Sequence, residues 1–247
     1  AGAINAAQLA AYRGDWSDAV ERLSELWLSL ETNKVYHADF RHVSRRVLHW
    51  GLRVLSGGRL GRGDVRGMVD SAPLQQFLHT HLLEEDGCIV GINENLQDAV
   101  IDAVAIITTN YASGRSEAWV QSVNENLWQK GQLTSKSAEL TVPHILASAA
   151  LPMFFPAISL NGQWHGDGGI RLSAPLSPAM HLGAERILAV SPRAAEGGQS
   201  DSVSEPYPSP AQIAGVLLNS VFLDLLDFDA LQMQRINDLL AQIPSAQ

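Results

Sequence analysis

The sequence holds one cysteine, Cys88, in 247 residues. No disulfide can form within the chain, which excludes a small cross-linked scaffold and weakly favours a reducing compartment. Basic residues are also scarce. Seventeen Lys and Arg face 26 Asp and Glu, for a formal net charge of −9 and a pI near 5.3. A nucleic-acid-binding protein would carry a basic face, so that class is excluded, while a local basic patch at a lipid surface is not. No apolar run is long enough to span a bilayer. No signal-peptide pattern is visible, which carries weight only if Ala1 is the true N-terminus. No His, Cys and carboxylate cluster has zinc-like spacing, and the glycine-rich "SGGRLGRGD" lacks the Lys-Ser/Thr ending of a phosphate loop. No internal repeat is present. Neither a metal nor an organic cofactor is expected.

What the chain has is apolar content: 46% hydrophobic and 17% charged residues, enough for a buried core. A single domain over 1–247 is expected. Residues 1–13 read as an Ala-rich helix, broken by Gly14 and Asp15. "WSDAVERLSELWLSL" reads as a second helix with Val20, Leu23, Trp27 and Leu30 on its apolar face. "SAPLQQFLHTHLL" reads as a third, with Ser71 as cap and Pro73 in the first turn. "DAVAIITTNYASGR" is expected to be a buried strand entering a turn, and its continuous apolar run suits a strand covered on both faces. "TVPHILASAALP" reads as a short helix ended by Pro152. "FFPAISLNGQWHGDGG" reads as a hairpin turning at Asn161-Gly162, and "RILAVSP" as a second buried strand. Residues 193–211 are polar and rich in Gly, Ser and Pro, a flexible loop. Residues 212–243 form a helical pattern. The expected class is α/β, a layered fold with a mainly parallel central sheet.

Two stretches carry chemistry. In "HGDGGI", Asp167 lies between glycines just after the hairpin. Such a carboxylate either caps its own turn or points into a cleft, and the sequence alone leaves both readings open. At the start, "AGAINAA" opens a small-residue helix with no capping residue ahead of it. In a nucleophile elbow, Gly-x-Ser-x-Gly, the serine sits on a tight strand-to-helix turn and the next residue supplies an oxyanion N–H. If Gly2 is the last glycine of such an elbow, Ala1 follows the serine, and the serine stands immediately before Ala1.

Together "AGAINAA", "YASGR", "ASAALPMFFPAI" and "WHGDGGIRLSAPLSPAMHLGAERILAV" resemble the bacterial patatin-like phospholipases. The resemblance runs from Ala1 to at least Ser191 and rests on the order and spacing of the motifs. It implies a three-layer α/β/α sandwich and a Ser-Asp dyad without histidine, acting on lipid or phospholipid esters. Asp167 is then the general base. Ala1 and Gly2 belong to the elbow and oxyanion site, Gly168 and Gly169 shape the aspartate turn, and Phe154 and Phe155 are candidates for an acyl pocket. The resemblance also implies that the nucleophile, the glycine-rich oxyanion loop and the first strand or strands precede this chain. It further implies a cytoplasmic or peripheral-membrane protein. The alternative function is a non-catalytic lipid-binding or interaction module, since the chain itself carries no elbow serine.

Other residues compete for these roles. His165 lies two positions before Asp167, which raises a Ser-His-Asp triad; a hairpin or rim position is the plainer reading. His79 and His81 point to different helix faces and make a poor metal pair. Ser148 and Ser116 lack the elbow glycine. Arg115 reads as a loop anchor, and Trp164 as a lipid-facing or hairpin-packing aromatic. The acidic positions Asp224, Asp227 and Asp229 argue against the last helix lying on an anionic membrane.

Overall fold

A computed structural model of the protein describes residues 2–35, 56, 69–82, 84, 85, 87–124, 127–190 and 224–241. The expected loops at 56–64 and 193–211, and residues 212–223 of the last helical segment, lie largely or wholly outside these. The chain divides into two units, Ala1–Arg171 and Leu172–Gln247.

In the first unit the small residues of α1 (Gly2–Ala11) let it lie close against α5 (Val90–Gln97). A Cβ at Gly91 would be driven into the Ala11 carbonyl. The end of α1 leaves carbonyls without helical partners. The buried Asn95 amide donates to two of them, Ala10 O at 2.8 Å and Tyr12 O at 2.9 Å. Asp15 then accepts from Ser17 N–H and caps α2 (Trp16–Leu28). The inward face of α2 is Ala19 and Leu26, whereas Val20 and Trp27 are exposed. The expected face is thus partly borne out: Leu23 is half-buried and Leu30 packs on the core, while Ala19 and Leu26 point inward in place of the expected Val20 and Trp27. A short α3 (Thr32–Val35) follows. In α4 (Ala72–His81) Pro73 lies in the first turn as expected. The Ser71 side chain makes no capping bond; the Asp70 carboxylate takes the Ala72 N–H instead, at 3.0 Å.

The main sheet has the order β5-β6-β4-β3-β8-β7. Its strands are β3 (Ala103–Asn110), β4 (Arg115–Ser122), β5 (Gln129–Lys130), β6 (Leu133–Ser137), β7 (Ile158–Leu160) and β8 (Gln163–Asp167). A separate pair, β1 (Glu84–Glu85) and β2 (Cys88–Ile89), is antiparallel. The expectation of a mainly parallel sheet is corrected: among the described residues only β4 and β6 run parallel, and the other four pairings of this sheet are antiparallel. The reason lies in the connections. Strands joined by a short turn can pair only antiparallel, and short turns join β3 to β4, β5 to β6 and β7 to β8. Asn161 and Gly162 supply such a turn, with φ of 50° and 79°, the left-handed pair a two-residue hairpin requires.

Cross-strand partners share a face. One face of the sheet therefore carries Val104, Ile106 and Trp119, then Thr108, Glu117, Asn110, His165 and Asp167. Its apolar half joins one core with Ile4 and Ala7 of α1, Leu26 of α2, Leu78 of α4, Ile92 of α5 and Ile145 of α6 (Val142–Ser148). The described residues thus supply a helix layer on a sheet, two of the three layers expected. Helix α6 ends at Ser148, short of Pro152, because the chain there turns to run beside β8: Asp167 N–H donates to Ala150 O at 3.0 Å.

The second unit contains α7 (Ser177–His181) and α8 (Asp224–Ala241). Within it, Leu176 N–H donates to the Asp229 carboxylate at 2.9 Å. The "RILAVSP" strand is not formed over 186–190; Leu188 and Val190 are exposed. An apolar run becomes a strand only where a neighbour completes its ladder, and none does so among the described residues. No described helix is long and apolar enough to cross a membrane.

The α1–α5 contact gives a direct test. Gly91→Ala should lower stability by about 1–3 kcal/mol through overpacking, read as a fall in the thermal midpoint. An unchanged midpoint would mean the two helices can part at no cost.

Candidate active site

β3 changes character along its length. Val104 and Ile106 face the helices, while Thr108 and Asn110 begin a buried polar half. Polar groups so placed must find partners. Trp119 Nε1–H donates to Thr108 Oγ1 at 2.8 Å, and Thr108 Oγ1 lies 3.0 Å from His165 Nδ1. The Glu117 carboxylate accepts from Asn110 Nδ2 at 2.9 Å and from Lys136 Nζ at 2.7 Å. Lys136 in turn sits 5.2 Å from the centre of the Trp119 ring, within cation–π reach.

His165 is wholly buried in this network, which corrects the rim position expected for it. Its Nε2 has no hydrogen-bond partner and lies 3.8 Å from Glu117 Oε2. With Nδ1 on Thr108 and the ring enclosed, His165 is not available to activate a serine, so the geometry opposes the triad reading. Burial lowers its pKa; Glu117 opposes that shift and Lys136 adds to it. His144, above it on α6, accepts at Nδ1 from Thr141 N–H at 3.3 Å and from the Thr141 hydroxyl at 2.8 Å, the reciprocal cap of a helix start. Its pKa falls to about 4, first through burial and then through His165.

Asp167 ends β8 and begins a 3-10 turn, Gly168–Ile170. Three bonds hold it. Its N–H goes to Ala150 O, its carbonyl accepts from Thr109 Oγ1 at 2.8 Å, and its carboxylate accepts from Gly169 N–H at 2.8 Å. Gly168 is buried, and a Cβ there would strike the Ile107 carbonyl. The turn therefore packs against β3 only because position 168 lacks a side chain. Asp167 does cap its own turn, as one sequence reading has it. The carboxyl is also partly desolvated, and burial raises its pKa against the lowering effect of the Gly169 bond. A carboxylate so placed is a stronger base than one in water.

Ala1 lies outside the described residues. Gly2 starts α1 and is exposed, and a Cβ added to it meets nothing within 4 Å. Phe154 and Phe155 follow α6 in a turn whose Met153 has a φ of 70°, a conformation that costs energy and clusters at functional sites. Phe154 O accepts from Val69 N–H, and Phe155 N–H donates to Leu151 O. Ser116 is buried, and Ser148 ends α6. The guanidinium that anchors the β3–β4 turn belongs to Arg171, whose Nε donates to Gly114 O at 2.9 Å. His79 and His81 make separate contacts, to Gln75 and to the Phe77 carbonyl. No metal-binding cluster of His, Cys or carboxylate occurs among the described residues.

Sequence reasoning missed Tyr111. It follows β3 in the "YASGR" turn, and burial followed by the charge of Asp167 raises its pKa. A Cβ at Gly166 would collide with the phenol oxygen, a contact between distant segments that no local sequence signal marks.

The low histidine pKa values link stability to pH. The unfolded chain binds a proton at His144 near pH 6.5, whereas the folded one resists until about 4. Stability on this account is complete above the unfolded value and falls as pH drops through that window. The urea midpoint should fall accordingly, and His144→Gln, which keeps a capping-box residue but cannot charge, should flatten the fall. Asp167 acts in the opposite sense and is common to both proteins, so the difference isolates His144. An identical pH slope in the variant would remove it as the cause.

Residues 1–180 match the family described as Patatin-like phospholipase. No curated protein and no solved structure matches the chain.

Proposed function

The chain belongs to the patatin-like phospholipase family, and from that premise we propose that it forms most of the catalytic domain of a lipid acyl-ester hydrolase in which Asp167 is the general base. The observation that carries this reading is the Asp167 turn: a carboxylate at a strand end, fixed by three hydrogen bonds, with its pKa raised by burial.

The nucleophile in this reading is the serine of a Gly-x-Ser-x-Gly elbow whose last glycine is Gly2. The serine hydroxyl transfers its proton to Asp167 as its oxygen attacks the acyl carbonyl carbon. The tetrahedral oxyanion is held by backbone N–H groups, that of Ala1 among them. Collapse expels the alcohol, which takes up the proton, and leaves an acyl-serine. Asp167 then accepts a proton from water, whose oxygen attacks the acyl-serine carbonyl; the bond to the serine oxygen breaks, that oxygen takes the proton back from Asp167, and the fatty acid is released. A base works best when its pKa approaches the operating pH, which the desolvated Asp167 serves better than an exposed carboxylate. Phe154 and Phe155 are the candidate acyl-facing residues, and peripheral contact with a lipid surface delivers the substrate. Neither step requires a cofactor.

The test uses a longer chain that includes the residues ahead of Ala1. Asp167→Asn should keep the turn, because the amide oxygen still accepts from Gly169. It should nevertheless lower ester turnover by about 100-fold or more. A fluorophosphonate probe should add once, at the serine before Ala1. Turnover that survives Asp167→Asn would remove Asp167 from the mechanism. A folded longer chain that takes no adduct would support a lipid-binding module instead.

A further inference from the structure

Asp167 is held by groups from three parts of the chain. Its N–H donates to Ala150 O at 3.0 Å, in the segment after α6. Its carboxylate accepts from Gly169 N–H at 2.8 Å, in its own turn. Its carbonyl accepts from the Thr109 hydroxyl of β3 at 2.8 Å. Ala150 and Gly169 act through backbone groups, which almost any residue supplies. Thr109 acts through its side chain, so it is the one of the three that residue type decides.

The register shows from which side that hydroxyl comes. Thr108 is the partner of Asp167, and Thr109 the partner of Gly166. Side chains alternate along a strand, so Thr109 and the Asp167 carboxylate stand on opposite faces of the sheet. The hydroxyl meets the Asp167 backbone from behind and leaves the carboxylate's own face clear. Thr109 is buried, 3% exposed, so bulk water does not compete for this bond. The carbonyl it holds belongs to the peptide that joins Asp167 to Gly168. Position 168 must be glycine to rest on β3, and glycine gives the turn little stiffness of its own. The Thr109 bond supplies it.

We infer that Thr109 is a positioning residue: through the Asp167 carbonyl, its hydroxyl sets the direction in which the carboxylate meets the nucleophile. The inference rests on the hydrolase reading above. A general base must lie within hydrogen-bond reach of the proton it takes, and small misplacements forfeit much of the rate. The same bond bears on the pH profile. Gly169 N–H lowers the Asp167 pKa against the effect of burial. A turn released at its carbonyl aligns that N–H less well, so the pKa rises and the acidic limb of kcat/KM moves to higher pH. His165, Glu117 and Lys136 on the same sheet face, His144 above them, and Tyr111, which feels the Asp167 charge, are common to parent and variant. The difference between the two profiles therefore isolates the turn.

The test compares Thr109→Val, which keeps the shape without the hydroxyl, with Thr109→Ser, which keeps the hydroxyl. Both are made in the longer chain carrying the serine and assayed on a long-chain p-nitrophenyl ester, with Asp167→Asn as control. Thr109→Val should lower kcat by about 10–100-fold, leave KM unchanged and move the acidic limb to higher pH. Thr109→Ser should restore the rate and the limb. A folded Thr109→Val with the parent's kcat, or with a lowered kcat and an unmoved limb, would overturn the inference, since a merely structural hydroxyl shows only in the thermal midpoint. A loss confined to KM would also overturn it, because the hydroxyl would then act on substrate. So would a Thr109→Ser that loses the rate, whether or not Thr109→Val folds. Turnover retained by Asp167→Asn would sink the hydrolase reading itself, a result distinct from all of these.

Discussion

The hydroxyl of Thr108 is the point on which the site depends. It accepts from Trp119 in the apolar half of the sheet and meets His165 in the polar half. Thr108 is also the register partner of Asp167. A buried hydroxyl left without partners costs roughly 1–3 kcal/mol, and a slip of β8 by one residue would turn His165 and Asp167 to the other face. Satisfaction of one buried group thus selects a single alignment of β3 and β8, and with it the place of Asp167.

Around that alignment the sheet separates two tasks. Val104, Ile106 and Trp119 bury against the helices and hold the layers together. Thr108, Asn110, Glu117, Lys136 and His165 form a polar block in which the charges are paired, Glu117 with Lys136 at 2.7 Å. Burial raises the Asp167 pKa; the Gly169 N–H and then the charge of the N-terminus lower it. A cation in place of that N–H would stabilise the carboxylate and weaken it as a base.

Glycine has different duties at three places in this unit. At Gly91 it lets two helices touch, at Gly168 it lets the aspartate turn rest on β3, and at Gly166 it leaves room for a phenol. Gly166 and Gly168 both stand in "HGDGGI", whereas nothing local marks Gly91.

The sequence by itself determined the local features: the Asn161-Gly162 hairpin, the strand at 103–110, the helices at each end of "AGAINAAQLAA" and "VPHILAS", and the Asp167 turn. Each follows from backbone preferences or periodicity within a few residues, which any short segment carries with it. Tertiary structure alone decided which strands pair and in which direction, so the expected parallel sheet became a largely antiparallel one. It also placed His165 in the core, left "RILAVSP" without a ladder over its described residues, turned Ala19 and Leu26 inward in place of Val20 and Trp27, and set Tyr111 over Gly166. Those outcomes depend on groups far apart in the chain: Thr108 and His165, Tyr111 and Gly166, Gly91 and Ala11. Hydrogen-bond satisfaction and close packing between distant segments are properties of the folded arrangement, and no local pattern records them.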